Sequence, residues 1–190
     1  MAARRFRLRP LSSRAVLRAW TGGLASTLLP GLALANPSGA AIVAGQVGLA
    51  TPDANTLVVN QASQNAVINW QQFSVGGNEF VVFNQPNASA AVLNRVVGGM
   101  PSEILGNITA NGRVFLVNPQ GILFGQGSRV DVGSLVASTL NIVDADFLAG
   151  KYTLTQGTAR PGAVTNQGSI HAADGGFVVL AGDSVSNSGL

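Results

Sequence analysis

The stretch that decides the fold runs Ala110-Asn111-Gly112-Arg113-Val114-Phe115-Leu116-Val117-Asn118-Pro119-Gln120-Gly121-Ile122-Leu123-Phe124-Gly125. Two turn signals, Asn111-Gly112 and Asn118-Pro119-Gln120-Gly121, bracket an apolar run of only four residues, Val114 to Val117. Asn-Gly is a strong turn signal because glycine accepts positive φ and asparagine bonds its own backbone. Pro119 fixes its own φ and donates no backbone hydrogen bond, so a strand stops before it. A run this short between breakers predicts a buried strand. A chain that turns every few residues predicts a coiled β-solenoid.

The same rhythm extends outward. Leu57–Asn60, Ala66–Trp70, Glu79–Phe83, Arg129–Val132 and Gly176–Leu180 are short β-branched or aromatic runs flanked by Gly, Asn, Asp, Pro or Ser. Helix signals are few: Ser102 to Leu105 is compatible with one turn, and Leu140 to Leu148 reads either way. Gly106–Val117 is echoed by Gly168–Leu180, with one residue inserted. Asn166-Gln167-Gly168 is echoed by Asn187-Ser188-Gly189, which sets a period near 20 residues. Leucine-rich repeats demand a denser leucine pattern, so a parallel β-helix fits better. One coil alone buries too little to offset its ordering entropy, so the first coil needs a cap. Residues 36–84 are the expected cap region and 85–190 the expected coils.

Composition divides the chain. Of the 11 Lys+Arg, six lie between Arg4 and Arg18, and all eight Asp+Glu lie beyond residue 50. Without its head the chain is weakly acidic, which removes the basic footprint of a nucleic-acid binder. The head is followed by the apolar, small-residue stretch Ala19–Ala35, ending Ala33-Leu34-Ala35 before Asn36. A basic start, apolar middle and small-x-small end predict a signal peptide over 1–35, cleaved between Ala35 and Asn36. The apolar part, broken by Pro30, falls short of the roughly 20 residues that span a bilayer, so no stable membrane insertion is expected. The Arg4-Arg5 pair is also compatible with twin-arginine export. The chain has no cysteine, which leaves an exported protein without disulfides.

The polar residues do not point to catalysis. Asp53, Glu79, Glu103, Asp131, Asp144, Asp146, Asp174 and Asp183 are mostly scattered among Gly and Asn. Asp144 and Asp146 share a face if their segment is a strand. His171 is the sole histidine and has no evident partner for a nucleophilic or metal site. No catalytic, cofactor-binding or metal-binding residues are expected. Sequence separation does not forbid carboxylates from converging on stacked coils, so a carbohydrate-active β-helix enzyme stays open as an alternative. Asn87-Ala88-Ser89 and Asn107-Ile108-Thr109 match the glycosylation sequon, a triplet common by chance in such chains. Trp70 and Phe73 are expected to plug the apolar end beneath the cap.

Several motifs together carry a resemblance. Ala66-Val67-Ile68-Asn69-Trp70-Gln71-Gln72-Phe73-Ser74-Val75-Gly76, Val82-Phe83-Asn84-Gln85-Pro86, Val92-Leu93-Asn94-Arg95-Val96 and the Ala110–Gly125 block stand in the order seen in two-partner secretion domains of filamentous-haemagglutinin type. The chain resembles most the high-molecular-weight adhesin branch of that family, over roughly residues 36–190. The resemblance implies an all-β, right-handed parallel β-helix with N-terminal capping strands. It implies export through the periplasm of a Gram-negative bacterium to the medium or cell surface. The implied partner is an outer-membrane barrel transporter bearing POTRA domains, with host-cell contact through a C-terminal passenger and a monomeric domain. The chain stops at Asn187-Ser188-Gly189-Leu190, within a repeat signal, as a fragment of a longer exoprotein would. An autotransporter passenger fragment is the other alternative.

The family's Asn-Pro-Asn-Gly-Ile secretion motif stands here as Asn118-Pro119-Gln120-Gly121-Ile122. Gln120 replaces the usual Asn, and its longer side chain caps its own backbone less readily. By resemblance, Asn118, Pro119, Gln120, Gly121 and Ile122, with Asn94 and Arg95, form the segments that the transporter recognises. The purely conformational use of Asn, Pro and Gly at turns is the competing reading. With no nucleotide hydrolysis in the periplasm, an emerging chain that folds coil upon coil outside the cell would rectify its own passage.

Overall fold

The computed structural model describes residues 36–157 and 162–190. The expected signal peptide and Ala35 lie outside the described residues, and Asn36 is the first described residue.

Among the described residues, sixteen short strands wind through three sheets. The two outermost at the N-terminal end, β1 (Ala41–Ala44) and β2 (Val47–Asp53), pair antiparallel, β1 with β4 (Asn65–Trp70) and β2 with β3 (Thr56–Gln61), whereas the other strand pairs among the described residues are parallel. They close the edges that the first rung would otherwise expose, and free edges invite aggregation. Parallel stacking begins with β3 on β5 (Phe80–Asn84) and β4 on β6 (Ala91–Val96).

Each rung then visits the sheets in turn. After β6 come β7 (Ser102–Ile104) and β8 (Asn107–Ala110); then β9 (Arg113–Val117), β10 (Ile122–Phe124) and β11 (Arg129–Val132). The fourth rung is β12 (Ser134–Ser138), β13 (Ala163–Asn166) and β14 (Ser169–Ala172), and the last described pair is β15 (Val178–Ala181) and β16 (Ser184–Asn187). The sheets run β1-β4-β6-β9-β12-β15, β16-β13-β10-β7 and β14-β11-β8-β5-β3-β2. The result is a parallel β-solenoid of about five turns, as the turn rhythm predicts.

The repeat echo is physical. Asn166 and Asn187 sit opposite each other on β13 and β16, and the Asn166 amide donates to Asn187 Oδ1 at 2.9 Å. Gly168 and Gly189 stack so closely that a Cβ on Gly189 would lie 2.1 Å from the Gly168 carbonyl oxygen.

The interior is filled by alternate residues. One column runs Leu57, Val81, Ile108, Val130, Ile170 through five successive parallel strands. Trp70 and Phe73, both buried, meet edge to face at 5.6 Å in the first rung, as expected for a plug. Val114 to Val117 is buried on both faces: Val114 and Leu116 point into the solenoid, whereas Phe115 and Val117 join a second apolar cluster on its outer side. That second cluster explains why the decisive run is apolar without alternation.

Two expectations change. The Ser102–Leu105 segment makes no helical turn. Ser102–Ile104 is strand β7, because pairing with β10 and the buried Ser102 hydroxyl's bond to Asn118 outweigh a one-turn helix with a costly nucleus. The ambiguous Leu140–Leu148 segment contains the helix α1 (Asp144–Leu148). Asp144 and Asp146 therefore lie in its first turn, where the helix dipole favours carboxylates, and not along a strand.

Candidate functional site

The residues singled out in the sequence come together at one corner of the solenoid, where the β9 sheet turns toward the β10 sheet. Asn118 is fully buried. Its side-chain nitrogen donates to the Met100 carbonyl at 3.0 Å and to Ser102 Oγ at 2.9 Å, and its Oδ1 accepts the Gln120 backbone N–H at 3.0 Å. Its own N–H donates to the Ser138 carbonyl of the next rung at 2.9 Å. Through its side chain and its backbone N–H together, this one residue ties together three rungs. The turn closes through the Gly121 N–H, which donates to the Asn118 carbonyl at 3.1 Å.

Gly121 adopts φ +123°, a conformation that L side chains rarely take, so the glycine of the motif is a backbone requirement. Gln120 needs no such conformation. Asn118 caps its N–H, and its side chain faces solvent. The substitution of Gln for the family's Asn leaves the turn intact because self-capping is not asked of that position.

The other residues divide the same way. Ile122 belongs to the interior cluster, paired with Ser102 and Val164. Asn94 is fully buried inside the solenoid, where Ile68 and Leu116 stand on either side of it in the stack. Its Oδ1 accepts the Trp70 indole N–H at 3.0 Å, and its amide donates to the Phe115 carbonyl at 3.3 Å. The alternation Val92, Asn94, Val96 carried the signal that Asn94 faces inward.

Arg95 points outward. Its guanidinium donates to Asn141 Oδ1 at 3.2 Å, to the Ile142 carbonyl at 2.5 Å and to Asn69 Oδ1 at 3.4 Å, and pairs with Asp144 at 2.6 Å. With a side chain only 16 % exposed, this ion pair is better shielded than an ordinary surface pair.

Arg95, Val96, Val97 and Gly98 from the end of β6, Pro119 and Gln120 from the turn, and Thr139, Asn141 and Gly157 line a cleft of about 390 Å³. Gln120 supplies an exposed amide side chain, Pro119 a half-buried ring whose carbonyl accepts the Gly162 N–H at 2.8 Å, and Arg95 its charge. Asn118, Ile122 and Asn94 support these walls from within.

Elsewhere several ionisable groups are engaged close to home. Glu79 accepts the Gly76 N–H at 2.6 Å, and Asp53 caps the turn at Asn55. Exposed Arg129 bonds Asp131 at 2.6 Å, which, with their charge attraction, raises the guanidinium pKa further above its ordinary value. His171 lies exposed beside Asp131. Among the described residues no three His, Cys, Asp or Glu gather closely enough to hold a metal ion, and no helix is long and apolar enough to cross a membrane.

This geometry has relatives. A family profile described as "TPS secretion domain" matches residues 33–190. The chain belongs to this family. It is 38% identical over 160 residues to a "Heme/hemopexin-binding protein" of Haemophilus influenzae, an alignment covering 80% of the chain and 17% of that protein. A second Haemophilus influenzae protein of the same description is 37% identical over 116 residues, 61% of the chain and 12% of that protein. The chain thus spans less than a fifth of the length of these relatives.

Among solved structures, the HMW1 secretion domain from Haemophilus influenzae superposes with a TM-score of 0.74. It shares 32% identity over 81% of this chain and 41% of that one. The likeness to the adhesin branch read from the motifs is therefore also a likeness of fold. Two-partner secretion exoproteins pass through the periplasm of Gram-negative bacteria and are secreted or displayed at the surface, and this domain is of that class. Membership implies an outer-membrane transporter as partner.

Proposed function

We propose that this domain, freed of residues 1–35 by cleavage between Ala35 and Asn36, directs export of an exoprotein through a barrel transporter whose POTRA domains read the corner at Pro119, Gln120 and Arg95. It performs no chemistry; it acts as a monomer; and it nucleates the β-helix outside the cell, with residues 36–84 as cap and 85–190 as coils. Any host-cell contact belongs to a passenger that follows it. The haem- and hemopexin-binding named for the relatives is a property of proteins several times longer, and the stretch shared with them is the export domain.

The observation that carries this reading is that Arg95 and the Pro119-Gln120 turn, far apart in sequence, line one cleft. Asn118, Gly121, Ile122 and Asn94 serve it by holding the walls. Folding supplies direction: the capped first rung offers a template edge, and each added rung removes backbone and apolar surface from water.

Two measurements test it. Mass spectrometry of the exported chain should find Asn36 at its N-terminus; a start elsewhere removes the assigned cleavage. Secretion and thermal stability should be compared for Gln120→Ala and Asn118→Ala. Gln120→Ala should shift stability by no more than about 0.5 kcal/mol, as for an exposed side chain, yet lower export several-fold. Asn118→Ala should cost roughly 3 kcal/mol through its lost buried bonds and abolish export. If export follows stability alone, with Gln120→Ala exported normally, the motif works through folding and is not read at this surface.

A further inference from the structure

In a solenoid each rung ordinarily touches only the rungs beside it, so stability is a sum of local terms and the ends fray. The described residues between β12 and β13, 139–157, depart from that pattern. They leave the fourth rung and run back along the outer face of the sheet as far as the first. Helix α1 packs against β4, and the Asn65 side chain on β4 donates to the Leu148 carbonyl at 3.0 Å. Phe147, wholly buried, meets Phe115 of the third rung edge to face at 5.1 Å. Tyr152 lies against both rings, at 4.6 and 5.4 Å.

The apolar cluster beneath them takes Val67 from the first rung, Leu93 from the second, Phe115 from the third and Val136 from the fourth. A helix of five residues without a side-chain cap has little stability of its own, so packing is what holds it. Arg95, on the second rung, fastens the strap's entrance through Asn141, Ile142 and Asp144.

We infer that residues 139–157 are a latch that joins rungs one to four into a single cooperative unit, closing only when β12 has been laid down. Until then the early rungs rest on nearest-neighbour contacts and can be undone one at a time. Afterwards, opening the first rung means breaking a cluster to which all four contribute. For a chain that folds from its N-terminal end, the latch sets a commitment point after β12. It is a property of the folded chain and holds whether or not a transporter reads Arg95.

Native-state hydrogen exchange on the exported chain tests it. Amides of β4, β6 and β9 should share one protection level in the wild type. Phe147→Ala should raise exchange at β4 roughly a hundredfold, the loss expected when a buried aromatic is truncated and opening becomes easier. Replacing residues 139–162 by Asn-Pro-Gln-Gly, the connection used between β9 and β10, should leave a folded solenoid whose protection falls stepwise toward β4. Arg95→Met gives the same reading if that replacement does not fold. Unchanged protection of β4 in Phe147→Ala, with faster exchange confined to residues 139–157, overturns the latch.

Discussion

Asn94→Asp should unfold more readily as pH rises, whereas the wild type should not show that dependence at this position. Asn94 sits within the solenoid, its Oδ1 on the Trp70 indole and its amide on the Phe115 carbonyl. An aspartate there can still accept from the indole. It can face the carbonyl only when protonated, because a carboxylate has no donor to offer and its charge would be buried without a partner.

Burial therefore raises the folded-state pKa above the unfolded value of about 3.9. The folded state then holds a proton that the unfolded state releases, so stability is full below about pH 4 and falls as pH climbs toward the folded pKa. At neutral pH the loss should reach roughly 3 kcal/mol or more, a large part of a domain's stability. Asn94→Leu keeps similar bulk but strands the indole N–H, which should cost about 2 kcal/mol with no pH dependence. Trp70→Phe should cost less in the Asn94→Leu background than in the wild type, because the hydrogen bond it deletes is already gone there. Urea unfolding at several pH values measures all three. A flat pH profile for Asn94→Asp would place residue 94 in water.

The same residue shows what the sequence could disclose. The strand-and-turn rhythm, the need for a cap and the repeat near 20 residues were all legible, because Asn/Gly corners and β-branched runs have local causes. The stacking of Asn166 on Asn187 and of Gly168 on Gly189 was visible as spacing alone. What the wall of the site is made of was not. Arg95 reaches Asn141 and Ile142 across 46 and 47 residues, and no local pattern announces such a pair.

The strap also hid itself by interrupting the repeat. Where Asn118–Gly121 alone joins β9 to β10, the described strap 139–157 is inserted after β12, so the connection does not repeat the spacing of the rung before it. Helix α1 is too short to show an amphipathic period, and only Phe147 and Tyr152 hinted that the segment packs. Asn94 was the opposite case: its inward position was implied by alternation with Val92 and Val96, but its place in a motif drew it toward a recognition role.

A glycine column should prove as demanding as the core. At the corner leading into β6, β9, β12 and β15 stand Ala90, Gly112, Gly133 and Gly176. A Cβ on Gly112 would lie 2.8 Å from the Ala90 carbonyl oxygen, one on Gly133 2.6 Å from that of Gly112, and one on Gly176 2.0 Å from that of Gly133. These oxygens cannot step aside freely. Ala90 accepts the Arg113 N–H at 2.8 Å and Gly112 accepts the Ser134 N–H at 3.2 Å, the bonds that seat each rung on the last.

Gly133→Ala must therefore push a backbone atom or break a seating bond, and should cost roughly 3 kcal/mol. Gly127 is the control: its φ of +83° disfavours a side chain, but a Cβ there meets nothing within 4 Å. Gly127→Ala should then lose only about 1 kcal/mol from strain. Thermal unfolding should rank Gly133→Ala well below Gly127→Ala, even though only the latter breaks a conformational preference. Equal losses would mean that the rungs have slack at this corner. A column without slack sets the rise between rungs, and it is that fixed rise which lets each finished coil serve as the template for the next.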